Sequence, residues 1–233
     1  MSYILDLCDD LLSLLFPRLC HGCGKHLVKG EKLICTECIV QIPRTNYHNE
    51  VDNPVERLFW GRCSIEKATA FSFYHPEGRV KNLIHDLKYN GISDIGYELG
   101  KIFGNILAGS GFLKDTDIII PVPLHPSKER KRGFNQSLVI SRGIAEITGL
   151  PVDSTSLLRI SGTATQTRKS RYERWLNVDG IFSVSDYSGI RGRHIVLVDD
   201  VITTGSTIES CANELLKAEG VKVSVVALAV TGV

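Results

Sequence analysis

The chain lacks the features that would tie it to a membrane, a disulfide framework or a polyanion as a whole. Formal net charge is only +1 over 233 residues, so any attraction to an anionic partner has to come from local charge. No run approaches the roughly 20 apolar residues of a bilayer span, because the apolar stretch from Ile4 to Phe16 is broken by Asp6, Asp9 and Asp10. Met1-Ser2-Tyr3 followed by acidic residues is not the basic start of a secretory signal, so export is not expected and a cytoplasmic setting is. No Gly-x-x-x-x-Gly-Lys-Ser/Thr segment occurs, which excludes a P-loop nucleotide site. Seven cysteines cannot all pair, and a reducing compartment suits that odd number.

What remains is ordinary globular material, with 43% hydrophobic and 23% charged residues. Ile4, Leu7, Cys8, Leu11, Leu12 and Leu15 recur at helical spacing and predict an amphipathic helix over residues 1–17 that packs on the rest of the protein. Cys20-His-Gly-Cys23 and Cys35-Thr-Glu-Cys38 follow, two thiolate pairs that can each wrap one side of a tetrahedral ion. Zinc is the expected occupant of a small knuckle over residues 18–45; buried thiols, a redox pair or iron are the alternatives. Four protein thiolates would leave no open coordination position, so the zinc is expected to be structural. Gly22 and Gly24 are read as supplying positive backbone dihedrals near the ligands, and His21 as a surface residue. Cys8, Cys63 and Cys211 read as buried thiols.

Ile195-Val-Leu-Val198 is an apolar β-branched run, the pattern of a parallel strand buried on both faces. Asp199 and Asp200 are expected where it ends, at the edge where open α/β sheets bind ligands, and carboxylates there can accept from neighbouring sugar hydroxyls. Thr203-Thr-Gly-Ser-Thr207 then turns into a helix. Its amides and hydroxyls can converge on a phosphate with the helix N-terminus behind them. Ser206 and Glu209 have capping-box spacing; Ile208, Cys211, Ala212, Leu215 and Leu216 give a buried face, and Gly220 is read as the stop. A capped helix without ligand would explain Ser206 and Glu209, but not an acidic pair beside a hydroxyl-rich turn.

A second buried strand is read at Asp117–His125, with Pro121 and Pro123 at its carboxyl end, followed by a basic loop, Lys128-Glu-Arg-Lys-Arg-Gly133, and a helix from Ser137 to Ile147. From His125 to Trp175 there are ten Lys or Arg and four Asp or Glu, a local +6 that a solvated face or an anionic partner can account for. Phe134, Tyr172 and Trp175 interleave with these charges as a single-stranded DNA groove would require, or pack in the core.

Residues 195–207 resemble the phosphoribosyl pyrophosphate signature of type I phosphoribosyltransferases along its whole length. With the thiolate knuckle, Leu87-Lys-Tyr-Asn-Gly91, Pro121-Val-Pro-Leu-His-Pro126, Arg132-Gly-Phe-Asn-Gln136, Ser170-Arg-Tyr-Glu-Arg174 and Asn177-Val178, the chain resembles the ComF family. The resemblance implies an α/β fold: a type I phosphoribosyltransferase-like parallel sheet flanked by helices over residues 65–233, behind the zinc knuckle. It implies that Asp199 and Asp200 hold ribose hydroxyls and that Thr203, Thr204, Gly205, Ser206 and Thr207 hold the 5-phosphate. Magnesium would accompany the pyrophosphate, with Lys88, Arg130, Arg132 and Arg171 neutralising it. ComF proteins assist uptake of transforming DNA, so the implied role is an accessory in DNA uptake that binds phosphoribosyl pyrophosphate and single-stranded DNA, with a competence helicase as a possible partner. The alternatives are an active phosphoribosyltransferase and a non-catalytic sensor of the same sugar phosphate. Relatives often carry further Cys-x-x-Cys pairs, whereas here only Cys63 follows the knuckle, so a second zinc is not expected. Gln166-Thr-Arg-Lys is also more polar than the family's usual approach to Ser-Arg. No cysteine follows Met1, so ammonia release from glutamine is not expected.

Overall fold

A computed structural model describes residues 17–160 and 181–232. The helix expected over residues 1–17 therefore falls almost wholly outside the described residues, as do Arg171, Tyr172, Trp175 and the rest of the segment 166–178. Among the described residues no helix is long and apolar enough to cross a membrane.

Four strands form the central sheet: β1 (Ala68–Phe73), β2 (Ile118–Pro121), β5 (His194–Ile202) and β6 (Lys222–Val230). They lie in the order β1-β6-β5-β2 and every pairing is parallel. Parallel strands need crossover connections, and these supply the flanking helices α3 (Arg79–Tyr89), α4 (Ser93–Ser110), α6 (Gln136–Thr148) and α7 (Ser206–Leu215). A sheet covered on both faces has to be apolar at nearly every position, which is why the strands read as continuous runs. Ile119, Val196, Val198, Val226 and Leu228 join a core with α3, α4 and α6. Their neighbours Ile118, Ile120, Ile195, Leu197, Val223 and Val225 join a second core with α7 and the small antiparallel pair β3 (Leu157–Arg159) and β4 (Phe182–Val184).

Two local readings change. The basic stretch after β2 is not a loop but a short helix, α5 (Pro126–Arg132), because His125 caps it with its ring, Pro126 opens it, and Gly133 closes it at φ 85°. Gly220 does not stop α7, which ends at Leu215; at φ 74° it turns the chain into β6 instead.

The stretch between the knuckle and β1 is folded against the sheet. Residues 43–45 run along the free edge of β1, with Phe73 N donating to Pro43 O at 2.8 Å. Asn53 is 2% exposed; its amide donates to Tyr47, Glu50 and Ala68 carbonyls, while its oxygen caps α2 (Pro54–Arg57). That places Phe59, 1% exposed, in the second core.

Helices α4 and α6 meet backbone to backbone. A Cβ at Gly143 would strike the Tyr97 carbonyl oxygen and lie 3.0 Å from Gly100 Cα, and one at Gly100 would strike the Ile140 carbonyl. Neither obstacle is a side chain that can rotate away. Gly143→Ala is expected to lower stability by about 2–3 kcal/mol through overpacking, read as a drop in the urea midpoint without a change in slope.

Candidate functional site

The site begins with a difference in strand length. β2 follows β5 only as far as Pro121 opposite Val198, closed by Val122 N to Val198 O at 2.8 Å. The strand does not end at the aspartates, as the sequence suggested. It continues through Ile202 because β6 goes on pairing, with Asp199 opposite Ala227 and Ile202 opposite Val230. Asp199 and Asp200 are thus held rigidly on one edge and released on the other, which opens a crevice at the carboxyl end of the sheet.

Asp199 Oδ1 accepts from Ser137 Oγ at 3.1 Å and from the Asp200 amide at 2.8 Å. Burial, reinforced by the Asp200 charge beside it, pushes the Asp199 carboxyl up to about 7 despite those bonds and Lys88. Asp200 Oδ1 pairs with Lys88 Nζ at 2.8 Å, the side chains 13% and 20% exposed. Lys88 comes from the last turn of α3. Ser137 was not singled out from the sequence. It opens α6 beside Asn135, whose oxygen accepts from the Ser137 amide and whose NH2 donates to Val122 O at 3.0 Å, tying α6 to the end of β2. Its nearness to β5 is set by the sheet order, which leaves no local signal.

The turn from Thr203 to Thr207 leads directly into α7. Gly205 is the N-cap at φ 76° and has no side chain to cap the helix; among the described residues the first amide, that of Ser206, makes one long bond, to Thr204 Oγ1 at 3.5 Å. The capping box read at Ser206 and Glu209 does not form, because Ser206 lies inside the helix and Arg62 takes the Glu209 carboxylate through Nε at 3.0 Å and through Nη2. Arg62 Nη1 also donates to Thr204 O at 2.7 Å and to Leu58 O at 2.8 Å. A Cβ at Gly205 would lie 2.9 Å from the Phe59 ring. The hydroxyls of Thr204 and Ser206 bond at 2.9 Å, and Thr203, Thr204, Ser206 and Thr207 are exposed. Helical geometry leaves the first amides of α7 without intrahelical acceptors, so the turn presents donors at the helix N-terminus. Arg62 was missed for a plain reason: its partners are remote in sequence.

Arg132 places its guanidinium 5.5 Å from the centroid of Tyr89, the residue after Lys88, and donates to Gln136 Oε1 at 2.8 Å. Arg130 is exposed on the same short helix, and its side chain forms no hydrogen bond or ion pair among the described residues. Phe134 packs against the first core.

In the knuckle, the sulfurs of Cys20, Cys23, Cys35 and Cys38 all lie within 4.8 Å of one another. Cys20–Cys38 and Cys23–Cys35 are each 3.7 Å apart, close to the roughly 3.8 Å edge of a tetrahedron with bonds of about 2.3 Å. Burial opposes ionisation of Cys20, but amides of Cys35, Cys23 and Gly22 outweigh it and bring the thiol down to about 6. Burial and the neighbouring sulfurs push the Cys38 thiol up, and a cation held between the four sulfurs would favour its thiolate. Gly24 has φ 74° as expected. Gly22 does not have a positive φ; it is small because a Cβ there would lie 2.9 Å from Cys38 Sγ. His21 is not simply a surface residue either. Its Nδ1 meets Asp86 Oδ2 at 2.6 Å, and Asn82 donates to Gly22 O at 3.0 Å, so the knuckle docks on α3, the helix that carries Lys88. Cys211 is buried and Cys63 half-buried.

Residues 109–231 match the phosphoribosyl transferase domain. The chain is 31% identical over 212 residues to the DNA utilization protein YhgH of Salmonella typhimurium, covering 86% of this chain and 92% of that one. It is 35% identical over 111 residues to Competence protein F of Haemophilus influenzae, 47% of this chain and 48% of that protein. With Competence protein ComFC of Bacillus subtilis the identity is 27% over 204 residues, 86% of this chain and 78% of the relative.

Because the Asp199 carboxyl titrates near 7 in the folded chain against an ordinary 3.8, the folded state keeps a proton that the unfolded chain loses earlier. Its stabilising contribution is complete below about pH 4 and is lost as pH rises through about 7. Asp199→Asn keeps an acceptor for Ser137 and the Asp200 amide. It should melt several degrees above the wild type at about pH 8 and with it near pH 4, as thermal unfolding across that range will show.

Proposed function

Since the chain belongs to the phosphoribosyl transferase domain family, and with its YhgH and competence-protein relatives to the ComF branch of it, we propose that the crevice binds phosphoribosyl pyrophosphate in a protein serving DNA uptake. The observation that carries this reading is the acidic pair on a half-released strand, followed by a donor-lined turn at a helix N-terminus. Asp199 and Asp200 accept from the ribose hydroxyls, and Thr203 to Thr207 surround the 5-phosphate. Lys88 stands beside Asp200, where it can neutralise pyrophosphate together with Arg132 and, from α5 and the segment beyond β3, Arg130 and Arg171. Magnesium bound with the pyrophosphate supplies further charge neutralisation.

Cys20, Cys23, Cys35 and Cys38 hold a structural zinc, supported by sulfur spacings that suit a tetrahedral site. Single-stranded DNA follows α5, where Lys128, Arg130 and Lys131 are exposed. Phe134 is occupied by the core, so among the described residues Tyr89, 64% exposed under Arg132, is the aromatic placed for a base to stack on. A competence helicase is the protein partner this role would require.

Titration calorimetry with phosphoribosyl pyrophosphate and magnesium should give saturable heat, and Asp200→Ala should abolish it; a flat wild-type titration would overturn the reading. Protein purified without chelators should carry about one zinc per chain, measured by metal analysis. Filter retention of a labelled single strand should fall steeply with salt. Replacing Lys128, Arg130 and Lys131 by alanine should flatten the log–log salt slope by about 2.

A further inference from the structure

The phosphate turn is held from behind by a residue outside the matched domain, in the segment that leads from α2 to β1. Arg62 reaches four groups at once: Leu58 O, Thr204 O, the Glu209 carboxylate and, at 3.5 Å, Ser206 Oγ. Three of these belong to the turn or to the first turn of α7. Only a planar, forked cation can satisfy such a set together.

Two physical consequences follow. A trans peptide is planar, with its C=O and its N–H pointing in opposite directions. With Thr204 O drawn to Arg62 at 2.7 Å, the Gly205 N–H in the same peptide is aimed away from Arg62, and it donates no hydrogen bond among the described residues. The αL conformation of Gly205 completes this geometry, and the Phe59 ring behind it leaves no room for a side chain. Charge is the second consequence. Glu209 stands in the first turn of α7, where an unneutralised carboxylate would repel a phosphate dianion at the same helix end. Arg62 cancels that charge by an ion pair.

We propose that Arg62 is a positioning residue for anion binding: it holds the Thr204–Gly205 peptide with its N–H toward the ligand and neutralises Glu209, so that the turn is a preformed phosphate site. The role rests on the phosphate-binding reading of the turn. It also gives the segment before β1 a part in the chemistry of the crevice, with Arg62 and Phe59 acting on the back of the turn.

The test is calorimetric titration with ribose 5-phosphate and, separately, inorganic phosphate, on the full chain and three variants, with the Gly205 amide followed by nitrogen-15 NMR. Arg62→Ala should weaken ribose 5-phosphate binding about 10- to 100-fold, the size expected for hydrogen bonds to a charged group. Its Gly205 amide should shift position without ligand and respond weakly to either anion. Arg62→Lys keeps the charge but not the fork and should recover only a minor part of the loss. Glu209→Gln, which leaves the Arg62–Thr204 bond in place, should bind at least as tightly as the wild type and serves as the folded control if Arg62→Ala is unstable. Equal binding and an unmoved Gly205 amide in Arg62→Ala or Arg62→Lys overturn the inference alone. A wild type that takes up neither anion overturns the phosphate reading, and the positioning role with it.

Discussion

Two carboxylates on consecutive residues of a half-buried strand repel each other, and much of the chain around them is arranged so that both can remain there. Asp200 is neutralised by Lys88, and Asp199 is held by Ser137 and the neighbouring amide while its proton affinity stays high. Removing either support leaves a negative charge in a poorly solvated crevice, which is costly unless a ligand takes it up.

The supports come from elements far apart in the chain. Lys88 depends on α3, and α3 is the surface on which the thiolate knuckle docks through His21, Asn82 and Asp86, with Arg79 reaching Glu37 at 3.3 Å. Ser137 depends on Asn135, which ties the start of α6 to the end of β2. The turn from Thr203 to Thr207 depends on Arg62 and Phe59. The front of the chain therefore braces the crevice at two places, the acidic pair through α3 and the turn through the segment before β1. Nothing in the knuckle itself enters the crevice; its contribution passes through the helix it packs on.

The elements that read well from sequence share a property: their meaning is local. Continuous β-branched runs at β2 and β5, the two Cys-x-x-Cys pairs and the hydroxyl-rich turn each impose their chemistry within a few residues. Misreadings arose where a local pattern had a competitor. Ser206 and Glu209 have capping-box spacing, but a guanidinium from another segment outbids an amide for the Glu209 carboxylate. The run Lys128–Arg132 looked like a loop by charge, yet a ring cap, a proline and an αL glycine close a helical turn around it. Gly22 suggested backbone freedom and instead makes room for a sulfur.

By itself the sequence determined the buried strand runs, the hydroxyl-rich turn and the four thiolates, because periodicity and short spacings carry that information along the chain, while the fold class followed from the resemblance of residues 195–207 and the other motifs to a known family. Tertiary structure decided which groups face those residues. Ser137 reaches Asp199 because the strand order β1-β6-β5-β2 sets β2 and its helix beside the aspartates, Lys88 reaches Asp200 from α3, and Arg62 reaches the back of the turn because the segment from residue 46 to residue 65 packs across it. No spacing rule encodes such meetings, since each is fixed by the packing of elements remote in sequence and by the charges left unpaired when they come together.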